Sequence, residues 1–251
     1  MKLNYKIQGE GQPILFLHGM FGSLDNLNML AKDFAPLYQT IQVDLRNHGL
    51  SPWSDEMNYD AMANDVAELC HELQLKNLII VGHSMGGKVA MQLIRIVPEI
   101  IQKVVVMDIA PVKYLQSPNF DVIQSLEKCC SQHITDKKQI MHIMEQQGVN
   151  TATIYFLLKS FKNDHWLFNA NIIVKNYSDL SDWQADAPSM KPILFIRGGN
   201  STYLADQYLD TLFSQFPQAK IVTIEGAGHN VHAEKTAQVL MALHEFIENK
   251  I

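Results

Sequence analysis

The chain has 251 residues, 47% of them hydrophobic and 18% charged, with a formal net charge of −6. That balance fits a folded unit with a sizeable core, and its acidity removes any general attraction to nucleic acid or anionic membranes. Cys70 and the adjacent Cys129 and Cys130 make neither a disulfide framework nor a zinc spacing, and MKLNYKIQGEGQP holds no signal-peptide core. No apolar run reaches the about 20 residues of a membrane span, so a soluble cytoplasmic chain without metal, cofactor or membrane insertion is expected.

In chain order, LNYKIQGEG predicts an antiparallel edge strand. Short, β-branched or aromatic runs follow at PILFLHG (13–19), YQTIQVDL (38–45), NLIIVGHS (77–84), KVVVMDIAP (103–111), PILFIRGG (192–199) and KIVTIEGAG (220–228). Most end at Gly, Pro or a polar turn, as buried parallel strands do. Helical patterns lie between them near 25–35, 59–73, 86–96 and 203–215, with another at 236–249. The alternation predicts an α/β fold with a mostly parallel sheet covered on both faces. The rhythm breaks over 113–187, where FDVIQSLEKC, KKQIMHIMEQQG and TATIYFLLKSF have helical spacing. The expectation is a core of 1–112 and 188–251, with 113–187 as a helical cap inserted over the sheet's carboxyl edge, where open α/β sheets bind ligands.

GHSMG (82–86) is Gly-x-Ser-x-Gly between a strand and a helix, the setting of a nucleophile elbow, with Ser84 as nucleophile. A serine needs a base, and His229 in GAGHNVHAE follows a strand at the same sheet edge; His232 lies further on. His83 is read as packing, and His48 in DLRNHGLS as shaping a loop wall. LHGMFGS (17–23) ends another strand and suits an oxyanion hole: the backbone N–H of Met20 with that of Met85, and Phe21 as a weaker donor. A histidine base also needs an acid. The loop RGGNSTYLAD places Ser201, not a carboxylate, after the 192–199 strand. The strand VVVM within the 103–111 run ends at Asp108, and neighbouring parallel strand ends lie about 5 Å apart, so it can reach the same histidine. Ser201 is then expected to add a neutral hydrogen bond to that histidine. Candidate pocket walls are Met20, Phe21, Met85, Tyr114, Phe156, Phe161 and Trp166.

These motifs, in this order and over essentially the whole chain, resemble the α/β-hydrolase superfamily. HGMFGSLDNL, VDLRNHGLSP, GHSMGGKVAM, DIAPV and GAGHNVHAEK resemble more narrowly the bacterial YbfF-type esterases and the abhydrolase-domain 11 proteins. The resemblance implies a serine hydrolase acting on carboxylic esters or acyl thioesters such as acyl-CoA, with Ser84 as nucleophile, His229 as base and a serine at the usual acid position. It departs at Asn230, where that group carries Trp. The alternatives are a carbon–carbon bond hydrolase on the same triad, a cofactor-free perhydrolase, and an inactive binding module of the same fold.

Overall fold

A computed structural model describes residues 1–115 and 119–249; residues 116–118 and the last two residues lie outside it. The expected strands form β1 (Tyr5–Gln8), β2 (Pro13–Leu17), β3 (Gln39–Val43), β4 (Leu78–His83) and β5 (Ile101–Met107). After a β6–β7 hairpin (Phe161–Lys162 and His165–Trp166) come β8 (Ile193–Gly198) and β9 (Lys220–Ile224). The main sheet runs β1-β3-β2-β4-β5-β8-β9, antiparallel only where β1 pairs with β3. Its central strands, such as β2 and β4, are apolar on both faces because both faces are covered. Leu15, Ile80, Val106 and Phe195 point into one core, and Phe16, Val81, Val105 and Ile196 into the other.

Helices α1 (Asn28–Phe34) and α11 (Thr236–Ile247) bury Leu30, Phe34, Leu243 and Phe246 on one side. Helices α2 (Tyr59–Glu72) and α3 (Met85–Ile96) bury Met62, Val66, Val89 and Leu93 on the other. Asn58 starts α2 by accepting a hydrogen bond from Ala61 N at 2.8 Å. Late in the chain come α9 (Leu209–Gln215) and α10 (Val231–Glu234). The 203–215 pattern is helical only from Asp206, first as a 3-10 turn, because Tyr203 N donates instead to the Ser201 hydroxyl. Among the described residues, no helix is long and apolar enough to cross a membrane.

The inserted stretch carries α4 (Phe120–Ser131), α5 (Lys137–Gln146), α6 (Thr151–Lys159), α7 (Ala170–Lys175) and α8 (Tyr177–Ser181). Its spacing predicts helix throughout, but the stretch also holds a hairpin. Phe161 leaves the helix and opens the β6–β7 hairpin through Asn163 and Asp164, both at positive φ (49° and 63°). A two-residue turn with both φ positive favours this pair of residue types. Phe161 and Trp166 then pack at 4.8 Å, and Trp166 stacks on Phe168 at 4.9 Å.

The 44–51 turn joins insert to core. Gly49 N donates to Leu167 O at 2.7 Å and Asn169 N to Asn47 O at 2.8 Å. Arg46 is buried in a two-pronged ion pair with Asp65, at 2.6 and 3.0 Å. His48 Nδ1–H donates to Arg46 O at 2.9 Å and its Nε2 accepts from Phe21 N at 3.2 Å. His18 Nδ1–H donates to Gly19 O at 2.8 Å and its Nε2 accepts from Leu45 N at 3.1 Å. Both imidazoles are thus used as neutral donor–acceptor links between backbone segments, 5.0 Å apart.

Burial pushes the pKa of His18 down from 6.5 to about 4 and that of His48 to about 3, the neighbouring His18 lowering His48 further. Below pH 6.5 the unfolded chain takes up these protons and the folded chain does not. Stability therefore falls as the pH drops, by at most about 1.4 kcal/mol per pH unit for each histidine. Thermal unfolding followed from pH 7 to pH 4 should show this loss. His48→Gln, which keeps an acceptor for Phe21 N and cannot ionise, should lose less over the same range; an equal loss would remove His48 from the account.

Candidate active site

β4 ends at His83 and α3 begins at Met85, so Ser84 alone makes the turn, at φ 51° and ψ −118°. This left-handed backbone costs a non-glycine residue about 1–3 kcal/mol and persists only where its surroundings enforce it. The enforcement here is close backbone contact. A Cβ on Gly86 would lie 2.3 Å from Leu17 O, and one on Gly82 would lie 2.3 Å from Gly86 O.

The Ser84 hydroxyl faces His229 Nε2 at 2.9 Å, and His229 Nδ1 faces Asp108 Oδ2 at 2.7 Å. A carboxylate accepts, so Nδ1 carries the hydrogen and Nε2 presents its lone pair to the serine. Asp108 directly follows β5, at φ 51°, and is fully buried. β5 pairs with β8, and Asp108 N donates to Ile196 O at 2.8 Å, which brings the two strand ends together. Asp108 Oδ1 accepts from Gly198 N at 2.9 Å. The expected place of Ser201 needs correction. Its hydroxyl donates to Asp108 Oδ2, the oxygen that also takes the histidine proton, rather than to His229.

Besides Asp108, Tyr203 and His83 hold the histidine, and Glu234 holds the residue before it. The Tyr203 ring stacks on its imidazole, with centroids 3.7 Å apart and planes 17° apart. His83 Nε2–H donates to its backbone carbonyl at 2.9 Å. Gly228 N, just before it, donates to Glu234 Oε2 at 2.7 Å. His83 is held well below the ordinary histidine pKa, first by burial and then by the His232 and His229 rings. His232, packed edge-on against His83 at 4.4 Å, is lowered to about 4, again first by burial. Both are neutral at pH 7. Tyr203 lies in the RGGNSTYLAD loop, but nothing in its spacing signals that it stacks on a residue 26 positions later.

Met85 N is the first amide of α3 and has no partner within the helix. Met20 N and Met85 N donate to no other group among the described residues. Phe21 does not fit the expected donor role, because its N–H is taken by His48 Nε2; Phe21 sits at φ 67° and its ring packs on Phe168 at 5.2 Å.

Two hollows open at Ser84. The outer, about 180 Å³, is bounded by Phe21, Phe156, His229 and Asn230, with Asn26, Asn119, Asn150 and Thr153 as its polar walls. The inner, about 30 Å³, is bounded by Met85, Ile109, Tyr59, Tyr114, Tyr177 and Leu180. Met20 and Tyr203 border both. Phe161 and Trp166, expected as walls, border neither hollow; they form the hairpin's own packing against Phe168. Tyr114 OH donates to Tyr203 O at 2.5 Å and accepts from Ala110 N at 2.9 Å. Ser160 Oγ donates to Phe21 O at 2.9 Å, tying the insert to the Met20 loop.

Residues 12–128 match the family model described as alpha/beta hydrolase fold. Esterase YbfF of Escherichia coli (strain K12) is 41% identical over 254 residues, covering 99% of this chain and all of the relative. The sn-1-specific diacylglycerol lipase ABHD11 of Mus musculus is 32% identical, over 93% of this chain and 80% of its own. A solved structure titled Marine microorganism esterase superposes with a TM-score of 0.90 at 35% identity, over 98% of this chain and 99% of that one. A serine held between such an elbow and a histidine–aspartate pair, on this sheet and with these relatives, places the chain in the α/β-hydrolase family, as a hydrolase of its esterase and lipase kind.

Proposed function

We propose that the chain hydrolyses carboxylic esters through an acyl-enzyme on Ser84. The observation that carries this is the relay itself, with the Ser84 hydroxyl 2.9 Å from His229 Nε2 and His229 Nδ1 2.7 Å from Asp108. Ser84 Oγ attacks the ester carbonyl carbon, and His229 Nε2 takes the hydroxyl proton. The carbonyl oxygen moves toward Met20 N and Met85 N, whose free N–H groups stabilise the negative charge that develops there. His229 then delivers its proton to the departing alcohol. A water, deprotonated by the same nitrogen, releases the acid and restores Ser84. Asp108 keeps the imidazole in the one tautomer that works and stabilises its cationic form.

The leaving group must lie beside His229, so the alcohol occupies the outer hollow, which His229 borders and the inner hollow does not. The acyl chain occupies the inner hollow. At about 30 Å³ it suits an acetyl-sized group. The alcohol side is walled by Phe21 and Phe156 together with neutral amides and a threonine, with no lysine or arginine lining it among the described residues. A neutral polar alcohol therefore suits it better than the phosphates of an acyl-CoA, although thioester chemistry needs nothing further from the relay.

Ser84→Ala should take up no fluorophosphonate and retain only the residual rate that binding and the oxyanion hole provide. Asp108→Asn should lose about three to four orders of magnitude in kcat, as a misoriented tautomer does. Ser201→Ala, which removes one of three donors to the acid, should lose about tenfold or less. Wild-type turnover in Asp108→Asn would refute the assignment of the acid.

Across p-nitrophenyl esters, kcat/KM should be highest for acetate and fall by about tenfold or more by hexanoate, since a filled pocket excludes added methylenes. Acetyl-CoA should be a poorer substrate than p-nitrophenyl acetate. A rise in kcat/KM with chain length would place the acyl group in the outer hollow instead.

A further inference from the structure

Lys88 lies one helical turn after Ser84, on α3, and its side chain is fully buried. Its Nζ donates to Val112 O and to Asp182 O, each at 2.9 Å. These two carbonyls belong to opposite ends of the inserted stretch: Val112 precedes it, and Asp182 directly follows α8. The ammonium also lies over three aromatic rings, 4.9 Å from the centroid of Tyr114, 5.2 Å from Tyr59 and 5.9 Å from Trp183. The Asp182 carboxylate is engaged elsewhere, accepting from Trp183 N at 2.8 Å and pairing with Lys113 at 3.4 Å.

Burying an ammonium without a carboxylate in contact is costly, and burial lowers the Lys88 pKa to about 7 against the opposing field of Asp182. A methionine or leucine would fill the same space without that cost, so the head group has to act by holding something. It holds two backbone carbonyls and the faces of Tyr59 and Tyr114, and those two tyrosines are walls of the inner hollow. Tyr59 OH also donates to Leu180 O at 2.7 Å, so the same clamp reaches the wall contributed by α8.

We propose that Lys88 is a positioning residue for substrate selection: it clamps both ends of the insert to the helix that follows Ser84, and so sets the depth of the inner hollow and the acyl length it accepts. This rests on the ester-hydrolase reading above. It goes beyond that reading in assigning acyl selectivity to a residue whose side chain contacts none of Ser84, His229 and Asp108.

The test is Lys88→Met, which keeps an unbranched side chain of similar length and removes the donor and charge. Fluorophosphonate labelling of Ser84 should stay within about threefold of wild type. KM for p-nitrophenyl acetate should rise by about tenfold with kcat much less affected, and the hexanoate-to-acetate ratio of kcat/KM should rise by about tenfold. Hydrogen exchange should quicken in peptides spanning 110–115 and 179–184 and stay unchanged in β4 and β5. Lys88→Gln, which keeps one donor, should fall between the two. Unchanged selectivity and unchanged exchange in a folded Lys88→Met would overturn the proposal. Failure of both variants to fold would also overturn it, since Lys88 would then serve the fold rather than selection. A wild-type chain that neither turns over esters nor labels at Ser84 would refute the ester reading, while exchange at the two ends of the insert would still report on the clamp.

Discussion

The Asp108 carboxylate is fully buried, so its oxygens must find donors within the protein. Gly198 N–H, the Ser201 hydroxyl and His229 Nδ1–H supply them, and the three come from the β8 end, the loop after it and the loop after β9. One buried charge thus draws together three segments that the sheet already places side by side. It also accounts for the serine at 201. A carboxylate there would face Asp108 directly, and two anions sharing one buried site cannot both stay ionised. Aspartate at the end of β5 and a hydroxyl after β8 are therefore complementary, with one supplying the charge and the other a proton toward it.

The histidine is held at its ring and at its backbone. Asp108 fixes Nδ1, Tyr203 covers a ring face and His83 fixes the backbone carbonyl, which leaves Nε2 for the serine. The imidazoles packed nearby are neutral because burial disfavours their charged forms. They therefore add no like charge beside a base that must accept a proton in the proposed reaction.

Much of this was legible in the sequence because it is carried by local pattern. The apolar runs gave the parallel strands, and GHSMG between a run and a helix placed Ser84 at the turn. Asp108 was legible through topology, since adjacent strand ends can serve one histidine. The rest depends on which side chains meet across long stretches of chain, and periodicity is blind to that. Phe156 borders the outer hollow while Phe161 and Trp166 fill the hairpin, yet all three are aromatic residues of the same insert. The hairpin had a local cue in Asn163-Asp164, weaker than the helical spacing before it. That Ser201 touches the acid and Phe21 N serves His48 follows from hydrogen-bond directions that spacing does not encode.

Core and insert contribute differently to the site. Ser84, Asp108 and His229 all stand at or just after strand ends of the sheet, and the first two occupy left-handed backbone that a packed sheet can enforce. The insert supplies walls: Tyr114, Tyr177 and Leu180 inside, Phe156, Asn150 and Thr153 outside. Its links to the relay are indirect, through Tyr114 OH on the Tyr203 carbonyl, Ser160 on the Phe21 carbonyl and Lys88 on the Asp182 carbonyl. In the proposed reaction, changes in the insert can therefore reshape which ester fits while leaving Ser84, Asp108 and His229 in place. The reverse does not hold, because moving β5 against β8 would displace Asp108, and with it the tautomer on which the serine depends.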